Sequence, residues 1–382
     1  MTHDRERRVV VAPDKFKGSL SAAAVAAAVG RGVRSVVPEV VVVEHPTADG
    51  GEGTVDMVLA HGYEAVAVTV SGPLCTPVDA VFAIQTPLAV IEMASAAGLA
   101  LLASGPDEDT ATRASTYGVG QMMTAALDRG AARIVLGVGG SATTDGGAGA
   151  LRALGAELVD ASGEPVAPGG GGLVSGSRLD LSGLDPRLAH AELVVACDVD
   201  NPLTGTTGAA AVYGPQKGAT PARVAELDPA LGHWADLVAD ATGRDLRDMP
   251  GAGAAGGLAF GLSAVLGARM TPGIALLLDV TGFDEVVRGA DLVVVGEGSL
   301  DHQSLHGKGP VGVAQAAARH GVPVVAVVGR STVSAEQASA VGIDAVYALT
   351  DFEPDERRSM NEAERLLEDV AATVAADRLT LT

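Results

Sequence analysis

Five times along this 382-residue chain, a short apolar run rich in Val, Ile and Leu ends in a cluster of Gly, Ser, Asp, Glu or Lys. The clusters are Asp14/Lys15, Asp49/Glu52, Ser141/Asp145, Asp198/Asp200 and Glu297/Asp301. Short continuous apolar runs mark strands buried on both faces, and the Ala-rich helical stretches that separate several of them carry the chain back for parallel pairing. The pattern predicts an α/β fold. In open α/β sheets ligands bind outside the carboxyl ends of the strands, so all five clusters occupy the place where a ligand belongs. Any one of these Asp residues could be a plain helix cap. Five at one topological position are more carboxylates than capping requires.

The clearest unit is Ile134 to Gly149, an apolar strand that breaks into Gly139-Gly140-Ser141-Ala142-Thr143-Thr144-Asp145-Gly146-Gly147 and resumes as an Ala-rich helix. Such a loop can turn its backbone N–H groups inward, and the helix behind it adds partial positive charge, so its natural guest is a phosphate or carboxylate. Gly137-x-Gly139-x-x-Ala142 also passes for a dinucleotide fingerprint. That reading needs an acid about 20 residues on, at the end of a second strand, and Glu157 and Asp160 follow none convincingly.

Taken in order, residues 9–12, 40–43 and 63–70 read as strands, with a helix from about Ser19 or Ser21 to Arg34 between the first two. Residues 78–84 and 88–91 alternate like a hairpin, and 119–129 is an amphipathic helix. Residues 168–172 read as a flexible surface loop, and a helix around 229–240 carries the only Trp, Trp234. The strand–loop–helix pattern returns in the last third, where Ser359-x-x-Glu362 reads as a capping box for a final helix with Ala363, Leu366, Leu367, Val370 and Val374 on one face.

Composition narrows the partners. The net charge of −21 argues against nucleic acid and anionic membranes, so an anionic ligand needs local positive charge or a metal ion. No apolar run reaches the roughly 20 residues that span a bilayer, the first eight residues are polar, and Cys75 and Cys197 make no disulfide framework. A soluble cytoplasmic protein is expected. The cations are nearly all Arg, and the four lysines (Lys15, Lys17, Lys217 and Lys308) stand in Gly/Pro/polar stretches. Lysine is a compact charge suited to phosphate oxygens, which singles out Lys15, Lys17 and Lys308. Carboxylates, lysines and glycine loops together suggest phosphoryl transfer, which uses a divalent ion, donors for the moving group and a carboxylate near the attacking hydroxyl. No Walker A pattern is present, and His302 and His306 at i, i+4 lack a third ligand for zinc.

The segments Ala12-Pro-Asp-Lys-Phe-Lys-Gly-Ser-Leu20, Asp49-Gly-Gly-Glu-Gly-Thr54, Gly139 to Gly147, Cys197-Asp-Val-Asp-Asn-Pro-Leu203, Gly214-Pro-Gln-Lys-Gly218 and Glu297 to Pro310 resemble, in order, the signature blocks of the bacterial glycerate kinase family, the type forming 2-phosphoglycerate. The family often has Asn, Phe and Thr where Thr144, Tyr213 and Ser304 stand. The resemblance implies two α/β domains, a Rossmann-like parallel-sheet domain from residues 1–72 plus 286–382 and an inserted α/β domain from 73–285, with the active site in the cleft between them. It also implies an ATP- and Mg²⁺-dependent kinase acting on the small molecule D-glycerate; a homodimer is compatible with it. Asp198 is the expected base, with Lys15 and Lys17 neutralising the glycerate carboxylate or the moving phosphoryl group. Asp14, Asp49, Glu52, Asp200, Asn201 and Asp301 are expected on the substrate, and Gly139, Gly140, Ser141, Thr143, Asp145, Gly146 and Lys308 on the nucleotide. Glu297 and Asp198 are the expected metal ligands. The alternatives are the same chemistry yielding 3-phosphoglycerate, a non-catalytic sugar-acid-binding protein, and the nicotinamide oxidoreductase suggested by the fingerprint.

Overall fold

The computed structural model describes residues 6–302, 304–306 and 309–380. Its strands are β1 (Arg8–Pro13), β2 (Val41–Glu44), β3 (Glu64–Ser71), β4 (Pro77–Gln85), β5 (Leu88–Glu92), β6 (Arg133–Gly137), β7 (Glu157–Val159), β8 (Arg178–Asp180), β9 (Glu192–Ala196), β10 (Arg269–Thr271), β11 (Leu292–Leu300), β12 (Val324–Ser331) and β13 (Ala345–Ala348). The chain divides into two compact units, one comprising residues up to Asp49, Asp56–His61 and everything from Gly273 onward, the other Gly50–Val55 and Gly62–Pro272.

The first unit is built on an all-parallel sheet of order β13-β12-β11-β1-β2. Its strands are continuous apolar runs because both faces are covered. Val9, Val11, Leu292, Val294, Val325 and Val327 pack against the helices Ala22–Val36 and Ala363–Leu379, whereas Val10, Ala12, Val293, Val295, Val324 and Ala326 pack against Gly273–Val280 and Gly309–Ala318. The period of two in a strand makes this division automatic. The crossover after β1 therefore lies on one face and the crossover after β11 on the other. β1 and β11 are neighbours, so the point where the winding reverses lies between their carboxyl ends.

The second unit carries a six-stranded sheet, β10-β9-β6-β5-β4-β3, in which β5, β6, β9 and β10 run parallel and β3–β4–β5 form an antiparallel meander. β3, which the strand–helix rhythm groups with β1 and β2, pairs with β4 and belongs to this sheet. β7 and β8 form a separate ribbon.

Three local expectations are corrected. Ser359 is no cap: it is buried inside a short helix, Glu356–Asn361, capped by Asp355, and the final helix begins at Ala363 without a side-chain cap. The Trp234 helix runs Pro221–Thr242, with Pro229 inside it, because Thr220 caps it and Pro221 opens it. Residues 168–172 are packed rather than loose. A Cβ at Gly169 would lie 2.4 Å from the Thr112 carbonyl oxygen, and one at Gly170 would lie 2.2 Å from that of Thr144.

Gly32 shows how closely the covering helices approach. A Cβ there would sit 2.2 Å from the Glu368 carbonyl oxygen and 2.7 Å from the Ala371 Cβ. Helix propensity alone favours Ala over Gly by about 1 kcal/mol, but the contact is with backbone and cannot yield without parting the helices. Gly32→Ala is expected to lower the unfolding free energy by about 1–3 kcal/mol, measured as a lower urea midpoint.

Candidate active site

At the β1/β11 switch point, Pro13 ends β1 and the chain turns through Asp14-Lys15-Phe16-Lys17-Gly18. The turn is tight because the Phe16 N–H donates to the Leu20 carbonyl (2.9 Å), the Leu20 N–H donates to the Phe16 carbonyl (3.0 Å), and Gly18 takes a left-handed φ of 78°. Phe16 is buried in the core between two lysines, half-buried Lys15 and exposed Lys17. The Asp14 N–H donates to the Gly296 carbonyl (2.8 Å) and its carboxylate accepts from the Lys15 N–H (2.6 Å).

Carboxylates crowd this edge. Burial, then the Asp49 charge, pushes the Asp14 carboxyl up to about 7, against a lowering by Lys15. Burial also pushes Glu297 up to about 7; a hydrogen bond with Ser304 opposes this, and Asp14, Asp301 and Asp49 add to it. One Glu297 carboxylate oxygen, Oε1, is buried without a hydrogen-bond partner. Asp14, Asp49 and Asp301 are thus brought within electrostatic reach of Glu297, and Asp49 within reach of Asp14. A hard cation placed among them would relieve both the repulsion and the orphaned oxygen. Among the described residues no three His, Cys, Asp or Glu side chains form a ready-made metal cage, which Mg²⁺ does not require because it takes one or two carboxylates and completes its shell with water and phosphate.

In the second unit the Gly-rich loop after β6 is largely committed to the protein's interior. Asp145 is buried and accepts from the Thr116 N–H (2.8 Å), the Thr116 hydroxyl (2.9 Å), and the N–H groups of Gly147 (3.1 Å) and Gly149 (3.2 Å). Burial raises its pKa and these four donors oppose the rise. It consumes the N–H groups that open the helix Ala148–Ala153. The Gly146 carbonyl accepts from Trp234 Nε1–H (3.0 Å), and the Gly146 N–H donates to Gly256 (2.9 Å). The Ser141 and Thr143 hydroxyls bond each other at 3.1 Å. What remains is the tip. The N–H groups of Gly139, Gly140 and Ser141 donate to no acceptor among the described residues, and Gly140 is exposed. Gly139 must lack a side chain, since a Cβ would lie 2.8 Å from the Gly51 Cα. The same approach sets exposed Glu52 beside the tip.

After β9, Asp198 and Asp200 are exposed. Asn201 is tied at both ends of its amide, donating to the Thr207 carbonyl (2.8 Å) and accepting from the Tyr213 hydroxyl (2.6 Å). Cys197 donates to the Val199 carbonyl (3.4 Å), and burial, with Asp198 and Asp200 nearby, raises its pKa, the opposite of an activated thiol. Lys308 lies outside the described residues.

Two groups escape the sequence reading. Lys217 is buried, with its ammonium donating to the Thr143 carbonyl (2.6 Å) and the Ser141 hydroxyl (3.4 Å); the scarcity of lysine pointed at it, but nothing in the sequence says it folds under the loop. His45 is buried at the end of β2, its ring 4.3 Å from that of His61. The Thr281 hydroxyl donates to the Leu277 carbonyl (2.8 Å), so it accepts from His45 Nε2–H (3.0 Å).

Fold and strand-end chemistry together define an α/β protein with carboxylates and lysines gathered at a topological switch point. A sequence model of the Glycerate kinase family matches residues 9–379, and the chain belongs to that family. It is 46% identical to a glycerate kinase of Halalkalibacterium halodurans, over 96% of this chain and 97% of that one. It is 44% identical to the glycerate 2-kinase of Escherichia coli K12, over 90% of each chain. A solved structure from Salmonella typhimurium LT2, provisionally named glycerate kinase 2, superposes with a TM-score of 0.86 at 42% identity, covering 97% of this chain and 98% of that one.

Thr144, the departure that lies within the loop, is wholly buried and its hydroxyl has no partner. Thr144→Val removes an unsatisfied buried hydroxyl at nearly constant shape, so calorimetry should show a gain of about 1 kcal/mol, with ADP affinity unchanged by titration. His45 is pushed from 6.5 down to about 3 by burial, with His61 beside it. Between those values the unfolded chain binds a proton that the folded chain does not. The contribution is complete above pH 6.5 and is lost as pH falls toward 3. Denaturation midpoints should fall across that window, with a shallower slope in His45→Gln.

Proposed function

We propose that the chain is an ATP-dependent kinase that transfers the γ-phosphoryl group to the 2-hydroxyl of D-glycerate, forming 2-phosphoglycerate and ADP. The gathering of Asp14, Asp49, Glu297, Asp301 and two lysines at the carboxyl edge of one parallel sheet, in a member of this family, carries the reading. The choice of hydroxyl follows the Escherichia coli relative's name. The two compact units are, in this reading, its two domains, one formed by both chain ends. The protein works in the cytoplasm, a reading supported by its two cysteines and by the lack, among the described residues, of any helix long and apolar enough to cross a membrane.

The glycerate hydroxyl oxygen attacks the γ-phosphorus, the bond to the β–γ bridging oxygen breaks, and ADP leaves with that electron pair. Asp198, exposed to incoming substrate, orients the hydroxyl and accepts its proton, with Asp200 and Asn201 beside it. Lys15 and Lys17 offset the glycerate carboxylate and the moving phosphoryl charge, and Asp14, Asp49, Glu52 and Asp301 bound the substrate. The loop from Gly139 to Gly146 receives nucleotide phosphate at its tip, the rest of the loop holding that tip in shape; Lys308 assists. Glu297, with its unpartnered buried oxygen, and Asp198 are the residues proposed as Mg²⁺ ligands, and the ion would supply positive charge to offset that of the phosphates.

An ADP-release assay with D-glycerate, ATP and Mg²⁺, followed by phosphorus NMR of the product, should show turnover to 2-phosphoglycerate. Formation of 3-phosphoglycerate would keep the kinase and overturn the choice of hydroxyl; binding of glycerate without ATP consumption would overturn the enzyme. Asp198→Asn should lower kcat by about 10²–10⁴-fold, and near wild-type turnover would remove Asp198 as the base.

A further inference from the structure

The tip of the Gly-rich loop presents three successive N–H groups, at Gly139, Gly140 and Ser141, but backbone donors alone hold no fixed geometry. What fixes this one lies beneath it. The Thr143 carbonyl accepts from the Lys217 ammonium at 2.6 Å, the same ammonium reaches the Ser141 hydroxyl at 3.4 Å, and that hydroxyl accepts from the Thr143 N–H at 3.2 Å. On the other side, Ala255, Gly256 and Gly257 take left-handed conformations in succession, and a Cβ at Gly256 would lie 1.9 Å from the Thr143 carbonyl oxygen. The Thr143 carbonyl is thus clamped between an ammonium and a strained backbone. Lys217 is itself held by a rigid turn, Pro215–Lys217, closed by Gly218 at φ 93° against the backbone of Asp107.

We propose that Lys217 is a positioning residue for nucleotide: by tying Thr143 and Ser141 from inside, it shapes the Gly139–Ser141 turn to receive a terminal phosphate and sets a positive charge beneath it. The proposal rests on the reading of this loop as the phosphate site. Among the described residues, Lys217 is the only cation hydrogen-bonded to residues 139–147. The chain carries a net charge of −21, so a polyphosphate arriving at this loop needs a local positive charge to offset the repulsion. The titratable groups facing Lys217 are few. Burial pushes the ammonium's pKa down to about 7, against the raising effect of the Asp145 charge. Asp107, against the neighbouring Gly218, has its carboxylate engaged by the Thr110 N–H (2.8 Å).

The test is calorimetric titration of the full enzyme with ADP and, separately, with D-glycerate. Lys217→Met, close in length but uncharged, should weaken ADP binding at least tenfold and leave glycerate affinity within twofold; Lys217→Arg should recover part of the loss. Equal weakening for both ligands would mean that Lys217 only supports the fold, and unchanged ADP affinity would also overturn the proposal. If Lys217→Met does not fold, the wild-type pH profile decides. ADP affinity should fall as pH rises from 6.5 to 9, although ionisation of the terminal phosphate pushes the other way, and a flat profile would overturn the proposal. Amide exchange of the wild type with ADP separates the two claims. Protection at residues 139–141 together with an unaffected Lys217→Met overturns the role of Lys217 alone, and no protection there overturns the phosphate-site reading and the proposal with it.

Discussion

The pairing of β1 with β11 is the constraint on which the first unit depends. The Arg8 N–H meets the Asp291 carboxylate across 283 residues of chain, and Val9 to Pro13 then run in register with Leu292 to Gly296. Loop-closure entropy grows only logarithmically with length, so so distant a pairing is affordable once both faces of the new sheet are buried. Valines at successive positions of β1 and β11 bury alternately on the two faces, which is what the closure gains. The same pairing places Asp14 beside Gly296 and within electrostatic reach of Glu297, so the crowding of carboxylates is a by-product of the register.

In the second unit the governing fact is desolvation. Asp145, Thr116 and Lys217 sit where water does not reach, and burying such groups is tolerable only when nearly every lone pair and proton is matched. The loop after β6 therefore looks inward over most of its length. Asp145 occupies the N–H groups that an anion would otherwise take, Trp234 pins the Gly146 carbonyl, and the left-handed run at Ala255–Gly257 closes over Thr143. The exceptions are informative: the Thr144 and Ser263 hydroxyls are buried without partners, and both are places where stability is left unclaimed.

Much of this was legible in the residues. Continuous valine runs, Ser21 before an Ala-rich helix and the hairpin alternation of residues 78–91 each became the element they suggested, because the local signal and the burial agree. The errors have a common origin. Ser359-x-x-Glu362 has the spacing of a capping box, but Ser359 is buried inside the short helix and Asp355 supplies its cap instead. Residues 168–172 look flexible because four glycines in a row carry no side chains; those absences are what let the backbone close on Thr112 and Thr144.

The sequence by itself determined the α/β class, the strand-end location of the carboxylates, the glycine loop and the family, since all of these are written in local pattern and short-range chemistry. It could not decide which polar residues face a ligand and which face the core. Ser141, Thr143 and Asp145 share one loop with Gly139 and Gly140, yet the first three turn inward to Lys217 and Thr116 while the tip stays open. That choice depends on partners 74 residues away at Lys217 and 29 residues away at Thr116. Only tertiary structure brings such partners together, because the free energy of a buried polar group is set by what surrounds it and not by its neighbours in the chain.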